Sequence, residues 1–349
     1  MKKILIHTLS GGNNRMFDPN ERDSYNDPYI FLRDRLLEKN YLLTTADDNS
    51  LHDCEWVFFF DIASVFPYSN FKARLKRTIN KARGISIVRD LYSECLNSHL
   101  KDKMVLFLWE APAVSPDNWK RENHEAFNII FTWNDSIVDS IKYFKICWPQ
   151  TGKFSIIPKI PFGKKKLLVN ISMNKYSNHK RELYSERIKS IRHFETALPE
   201  NFDLYGYGWN NPANLVEKIL PFKKQVYSSY RGTVKNKWDV LPFYRFSLCY
   251  ENLEGEPGYI TEKIFDSMRC GCVPIYLGAP NITDYVDSNA FVDRRIFKTN
   301  KDLEDFIINI DEQEYKKYQD AIKDYLAGER FKNFLPESFA NTINNTLKL

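Results

Sequence analysis

The sequence predicts an α/β protein built from two parallel-sheet domains, and three observations carry that reading. Short apolar runs alternate with helical patterns through the first half, a stretch rich in proline, glycine and lysine interrupts them at residues 149–166, and the alternation then restarts. Such alternation marks β-α-β units, because parallel strands need helical crossovers. A length of 349 residues accommodates two domains of ordinary size.

In the first half, Ile4–Leu9, Trp56–Phe60, Val105–Trp109 and Ile129–Thr132 read as buried strands, being short runs rich in aliphatic and aromatic residues. Tyr29–Lys39, Lys72–Arg83 and Asp90–Ser98 read as helices. The stretch PQTGKFSIIPKIPFGKKK, with three prolines and two glycines, reads as a linker. Beyond it, Leu167–Ile171, Phe202–Tyr205, Phe246–Tyr250 and Val273–Leu277 are expected strands. Lys180–His193, Thr261–Arg269, Asp302–Ile310 and Glu312–Ala327 are expected helices. The expected division is a first domain over residues 1–155, a second over 156–335, and a tail over 336–349 that could form a last short helix.

Composition narrows the function classes. A hydrophobic share of 43% belongs to a globular chain and not to a disordered one. The net charge of +5, from 50 basic and 45 acidic residues, falls short of a nucleic-acid-binding footprint but suits an anionic small ligand. The six cysteines form no CxxC pair and the six histidines no HxH or HExxH pattern, so no structural metal is expected. Neither GxGxxG nor GxxxxGK[ST] is present, which removes the usual nicotinamide-cofactor and P-loop readings. The apolar run of MKKILIHTLSGG ends at Leu9, so it reads as a first strand and not as a leader. The expected location is cytoplasmic, with at most peripheral membrane contact through the basic run Lys72–Arg83, itself readable as a solvated helix face.

The chemistry concentrates between Phe243 and Tyr285. An apolar strand runs into a loop carrying Tyr250, Glu251, Asn252, Tyr259, Thr261, Glu262 and Lys263, then a helix and a second apolar strand. Polar groups at the carboxyl end of a strand and the start of a helix mark the ligand crevice of an open α/β sheet. A lysine in the first helical turn opposes the helix dipole unless an anion sits there, and a diphosphate is a natural occupant. Thr261 fits as the cap of that helix, while Gly255 and Gly258 permit close backbone approach. Glu110 follows the strand Val105–Trp109 at its carboxyl end and is the candidate general base, with Glu251 and Glu254 as competitors better placed for structure. Burial beside Trp109 is expected to raise the Glu110 carboxyl toward working pH. Two Rossmann-like halves with a ligand loop in the second suggest a GT-B type architecture, the domains facing across a cleft, with acceptor on the first and nucleotide donor on the second. A single large irregular α/β domain is the alternative.

The segment YENLEGEPGYITEKIFDSMRCGCVPIYLGAPN resembles the signature of family 10 glycosyltransferases, the α-1,3-fucosyltransferases: an aromatic-Glu-Asn, a short loop, Tyr-x-Thr-Glu-Lys, a helix, then Gly-x-Val-Pro-Ile-Tyr-x-Gly. FDLYGYGW at Phe202–Trp209 and YRGTVKNK at Tyr230–Lys237 are similar to the donor domain of that family. The resemblance implies inverting transfer of L-fucose from GDP-fucose to a glycan hydroxyl. It implies that Asn252 and Tyr259 contact the nucleotide diphosphate, that Lys263 pairs with the phosphates, and that Glu262 lies against the donor sugar or ribose. Arg181 best matches the diphosphate-binding arginine, with Arg187 close by in sequence, and Glu110 resembles the catalytic base. The loop between Asn252 and Tyr259 is one residue longer than in some bacterial members. No DxD-type clamp stands out, so the cationic side chains are expected to take a metal's place, with a divalent cation at most stimulatory. Two alternatives stay open: another nucleotide-sugar donor, or a non-catalytic glycan- or nucleotide-binding protein.

Overall fold

The computed structural model describes the chain except residues 10, 48, 68–74, 76–77, 80–82, 84–88, 153–159, 212–218 and 220–225. The expected helix Lys72–Arg83 and the middle of the expected linker therefore lie mostly outside the described residues. The chain forms two compact units: Met1–Glu21, Asn26–Thr151 and Pro336–Leu349 make the first, and Arg22–Tyr25 with Gly152–Leu335 make the second.

The first unit is a six-stranded parallel sheet with strands β1 (Lys2–His7), β2 (Tyr41–Thr45), β3 (Cys54–Phe60), β4 (Met104–Leu108), β5 (Ile129–Thr132) and β6 (Tyr143–Lys145) in the order β2-β1-β3-β4-β5-β6. The chain steps outward from β1 to β2, then crosses to β3 on the other side, so the strand order reverses between β1 and β3. In doubly wound sheets that reversal opens a crevice at the strands' carboxyl ends. Strand register sets the packing: Phe60 pairs with Phe107 and Phe107 with Phe131, so their rings stack side by side at 4.8 and 4.9 Å between centroids. Each such pair contributes about 0.5–1.5 kcal/mol beyond area burial. The next residues along, Val57, Phe59, Leu106, Leu108 and Ile130, all buried, join one apolar cluster, as strand alternation requires.

The second unit repeats the arrangement with strands β7 (Lys166–Ile171), β8 (Phe202–Tyr205), β9 (Tyr244–Tyr250), β10 (Val273–Leu277) and β11 (Val292–Asp293) in the parallel order β11-β10-β9-β7-β8. Here the order reverses between β7 and β9. Helices α1 (Asp27–Glu38), α2 (Ile62–Val65), α3 (Leu91–Asn97), α4 (Tyr184–Ala197), α5 (Glu262–Arg269), α6 (Ile282–Tyr285), α7 (Asn300–Asn309), α8 (Glu312–Ala327), α9 (Glu329–Lys332) and α10 (Pro336–Leu347) complete the described helical elements. Each of the eight expected strands has an observed counterpart. The strands that escaped the sequence reading, β2, β6 and β11, are short or mix polar with apolar residues, which weakens their periodic signal.

Residues 336–349, expected as a separate tail, count with the first unit. In α10, Phe339 is buried and packs edge-on against Tyr29 of α1, 6.1 Å between centroids, and tilted against Trp109 at 6.2 Å. The side chain of Lys39, just past α1, donates to the Leu349 carbonyl at 2.7 Å. Among the described residues no helix is long and apolar enough to cross a membrane. Phe339→Ala should cost about 3–5 kcal/mol of unfolding free energy, the range for a buried aromatic truncation. Urea denaturation checks this, and an unchanged midpoint would show that α10 contributes little to the first unit.

Candidate active site

Within the second unit, the residues singled out between Tyr250 and Lys263 gather at the carboxyl end of β9. Glu251 follows the last residue of the strand and is fully buried. Its carboxylate accepts the Thr261 backbone N–H at 2.8 Å and the Thr261 hydroxyl at 2.8 Å, and the Lys263 ammonium lies 3.0 Å away. A buried carboxylate persists only when paired and hydrogen-bonded, and these three donors meet that need. Glu251 thereby ties the end of β9 to the first turn of α5. The approach requires a glycine on β10's continuation: a Cβ on Gly278 would sit 2.6 Å from Glu251 Cγ.

Thr261 does occupy the N-cap position of α5, but its hydroxyl serves Glu251 and makes no cap hydrogen bond to the helix. The helix start thus has no cap from its N-cap residue, while the Glu262 carboxylate accepts its own backbone N–H. The start of a helix carries partial positive charge, which suits an anion.

Charges alternate around that turn. Lys263 Nζ donates to Thr261 Oγ1 at 2.9 Å as well as to Glu251. Burial works to lower the Lys263 ammonium pKa, but Glu251 and Glu262 together hold it raised. Burial pushes the Glu262 carboxyl up, yet Lys263 and Lys237 outweigh that and hold it at about 2. Lys237 stands 2.7 Å from Asp266 and 3.5 Å from Glu262. Burial opposes its charge too, and Asp266, Glu262 and Asp23 reverse the effect, leaving it raised. Burial lifts the Asp266 carboxyl in turn, with Lys237 working against the lift.

Arg181 reaches the same loop by local strand-like pairing. Glu182 bridges antiparallel to Leu253, the Leu183 N–H donates to the Asn252 carbonyl at 3.0 Å, and the Glu254 N–H donates to the Arg181 carbonyl at 3.0 Å. This pairing holds residues 181–183 out of helical conformation, which is why α4 starts at Tyr184 and not at the expected Lys180. The guanidinium donates to the Gly255 carbonyl at 2.9 Å and pairs with Glu256, while Nε is buried without a hydrogen-bond partner. Gly255 sits at φ +75°, and a Cβ there would lie 2.6 Å from Arg181 Nη1. Arg187 is a different kind of residue. It is buried, and donates to the Tyr250 and Glu251 carbonyls at 2.7 and 3.1 Å, with burial lowering its pKa. It is committed to closing the end of β9.

Asn252 is half-buried and donates from Nδ2 to the Tyr259 hydroxyl at 3.2 Å. Tyr259 itself is only 1% exposed. In this conformation it backs Asn252, and does not offer its ring to solvent. Arg181, Asn252, Tyr259, Glu262 and Lys263 therefore do converge on one loop and one helix start. Sequence reasoning overlooked Lys237, whose signal was a basic residue closing the quoted run YRGTVKNK.

In the first unit, Glu110 lies two residues beyond β4 and is half-buried. Its backbone is held by side chains. The Glu110 and Trp109 N–H groups donate to Asp61 Oδ1 at 3.0 and 2.7 Å, and the Glu110 carbonyl accepts from Asn118 Nδ2 at 3.1 Å and Trp119 Nε1 at 3.0 Å. Asp61, which ends β3 at φ +63°, was not singled out, although it follows an apolar strand just as Glu110 does. Burial raises its carboxyl pKa, against the pull of these donors. Among the described residues no group of three or more His, Cys, Asp or Glu side chains is arranged to hold a metal ion.

Two parallel doubly wound α/β units are the architecture of the GT-B fold class. Residues 162–338, half of the chain, match the sequence model described as glycosyltransferase family 10 (fucosyltransferase), C-terminal part, and the chain belongs to that family. Among curated relatives, the α-(1,3)-fucosyltransferase FucT of Helicobacter pylori is 40% identical over 74 residues, covering 21% of this chain and 15% of that protein. GDP-fucose protein O-fucosyltransferase 3 of Xenopus laevis is 40% identical over 77 residues, covering 22% and 16%. These alignments span less than a fifth of either relative. Among solved structures, an α1,3-fucosyltransferase with GDP-fucose aligns with a TM-score of 0.53 at 14% identity over 100% of this chain and 90% of that one. HepE of Anabaena in complex with UDP-glucose gives 0.53 at 13% identity over the whole of both chains. These last two likenesses concern the fold.

Glu262 supplies a pH test. A carboxyl depressed from an ordinary 4.5 to about 2 stabilises the folded state above about pH 4.5, and that contribution is lost as pH falls toward 2. Glu262→Gln should therefore be less stable near neutrality and show a shallower loss of stability between about pH 4.5 and 2. Chemical denaturation across that window checks it, and parallel curves for variant and wild type would contradict the assignment.

Proposed function

We propose that this protein is an inverting α-1,3-fucosyltransferase that moves L-fucose from GDP-fucose to a glycan hydroxyl. The observation that carries the reading is that Arg181 and Lys263 both hold the loop between β9 and the start of α5, at the switch point of the second unit and inside the segment matched to family 10. Support for the donor comes from the α1,3-fucosyltransferase neighbour solved with GDP-fucose and from relatives whose names carry the same donor or sugar.

In this reading the second unit binds the donor and the first supplies the base. Glu110 takes the proton of the acceptor hydroxyl, the oxygen forms its bond to the anomeric carbon, and the bond from that carbon to the diphosphate oxygen breaks. Negative charge grows on the leaving GDP. Arg181, whose partly exposed guanidinium can meet two oxygens, and Lys263 stabilise that charge together with the start of α5. Asn252, held by Tyr259, faces the diphosphate, and Glu262 lies against the sugar or ribose. No divalent cation is required in this scheme, since fixed cations neutralise the leaving group.

The O-fucosyltransferase relatives favour a second acceptor class, a hydroxyl on a protein. Incubation with GDP-fucose over an array of glycans and folded peptide domains, with GDP release and product mass as readouts, separates these readings. Glycan-dependent release is expected. Transfer confined to protein acceptors would favour the second class, turnover of other nucleotide sugars but not GDP-fucose would overturn the donor, and donor binding without turnover would leave a non-catalytic binding protein. Glu110→Gln should lower turnover by about a hundredfold or more, a hundredfold being the lower end of what a general base contributes. Arg181→Ala should weaken GDP binding about tenfold, or ~1.4 kcal/mol, with little change in unfolding midpoint because the side chain is 38% exposed.

A further inference from the structure

We infer that Asp61 is a positioning residue for the catalytic base: its carboxylate, with Asn118, Trp119 and Trp133, fixes the peptide from which the Glu110 side chain projects. The inference rests on the reading of Glu110 as base. Each backbone polar group of Trp109 and Glu110 has a side-chain hydrogen-bond partner. Both N–H groups donate to Asp61 Oδ1, at 2.7 and 3.0 Å. The Trp109 carbonyl accepts from Trp133 Nε1 at 2.8 Å, and the Glu110 carbonyl accepts from Asn118 Nδ2 and Trp119 Nε1 at 3.1 and 3.0 Å. None of these partners is backbone. A dipeptide just past a strand end would ordinarily bond to main chain or water, so a complete set of side-chain partners is a construction.

The set is interlocked. Asn118 Nδ2 also donates to Asp61 Oδ1 at 2.5 Å, and Asn118 Oδ1 accepts the Ile62 N–H at 2.9 Å, which fixes the residue after Asp61. Asn118 is fully buried. Trp119 and Trp133 pack on one another at 4.8 Å between ring centroids, and Trp109 stacks on Trp148 at 4.9 Å. Asp61 sits at φ +63°, a left-handed conformation that costs a non-glycine residue and persists only where surroundings over-determine it. The paired N–H groups of Trp109 and Glu110 are what that conformation delivers the carboxylate to. Rigid support of this kind matters because a misplacement of about 1 Å in a reacting group costs on the order of a hundredfold in rate.

The test compares Asp61→Ala, Asp61→Asn, Trp119→Phe and Glu110→Gln with wild type, using GDP-fucose and the array acceptor that gives most GDP release, alongside calorimetric titration with GDP. Asp61→Ala should lower kcat about a hundredfold while KM for GDP-fucose and the Kd for GDP stay within about twofold. Asp61→Asn keeps an oxygen acceptor in the same place and should restore turnover to within about tenfold of wild type. Trp119→Phe, which removes one donor to the Glu110 carbonyl, should lose about fivefold in kcat and guards against a failure of the alanine variant to fold. Wild-type kcat in both Asp61→Ala and Trp119→Phe, with Glu110→Gln inactive, would overturn the positioning role and leave the base reading intact. Full activity of Glu110→Gln would overturn the base reading itself and this inference with it. A loss of GDP affinity matching the loss of kcat in Asp61→Ala would mark a general structural defect and also count against the proposal.

Discussion

The loop between β9 and α5 depends on one buried ion pair. Glu251 is wholly removed from water, and Thr261 and Lys263, with the Arg187 charge nearby, make that burial tolerable. Removing one partner of such a pair typically costs about 3–5 kcal/mol, because the other charge is left buried and unpaired. The arrangement has consequences in both directions along the chain. It draws the Thr261 hydroxyl away from its capping role, which leaves the start of α5 without a cap from its N-cap residue. It also holds the Lys263 ammonium beside that turn, where a cation would otherwise be disfavoured by the helix dipole. A position unfavourable for helix stability is kept by a side chain outside the helix, and an anion is the ligand that relieves it.

A similar arrangement appears in the first unit with the roles exchanged. There a carboxylate, Asp61, receives backbone N–H groups and immobilises the neighbouring Glu110. In each unit a buried or half-buried acid at the carboxyl end of the third strand, β3 or β9, organises a neighbouring polar group, Glu110 in the first and Lys263 in the second. The doubly wound topology explains the placement, since strand ends beside the order reversal are where backbone donors and acceptors run out of sheet partners. The aromatic wealth of the sequence finds its use here too: Trp119 and Trp133 offer an apolar body to the core and a single N–H to a carbonyl near Glu110.

Much of this was legible in the sequence. The strands Ile129–Thr132, Phe202–Tyr205 and Val273–Leu277 were bounded to the residue, because continuous apolar runs flanked by turn residues leave little choice. The cluster from Glu251 to Lys263 was legible because its members are close in sequence. What could not be read depends on contacts between distant residues. Nothing local indicates that Thr261 serves Glu251 and not its own helix, that Tyr259 is buried behind Asn252, or that Arg181 precedes a helix start delayed by pairing with residues 252–254. Asp61 and Glu110 are separated by 49 residues, and only the parallel pairing of β3 with β4 brings them together. Lys237 likewise acquires its meaning from Glu262 and Asp266 on a helix it does not adjoin in sequence.

If the Glu251-organised turn is a nucleoside diphosphate site, calorimetric titration of GDP into the wild type and Glu251→Gln should distinguish the two proteins. Glutamine preserves shape while removing the charge that holds Lys263. Saturable GDP binding is expected for the wild type, and at least about tenfold weaker binding for the folded variant, a difference of ~1.4 kcal/mol. Equal affinities, or no binding of GDP to the wild type, would contradict that assignment.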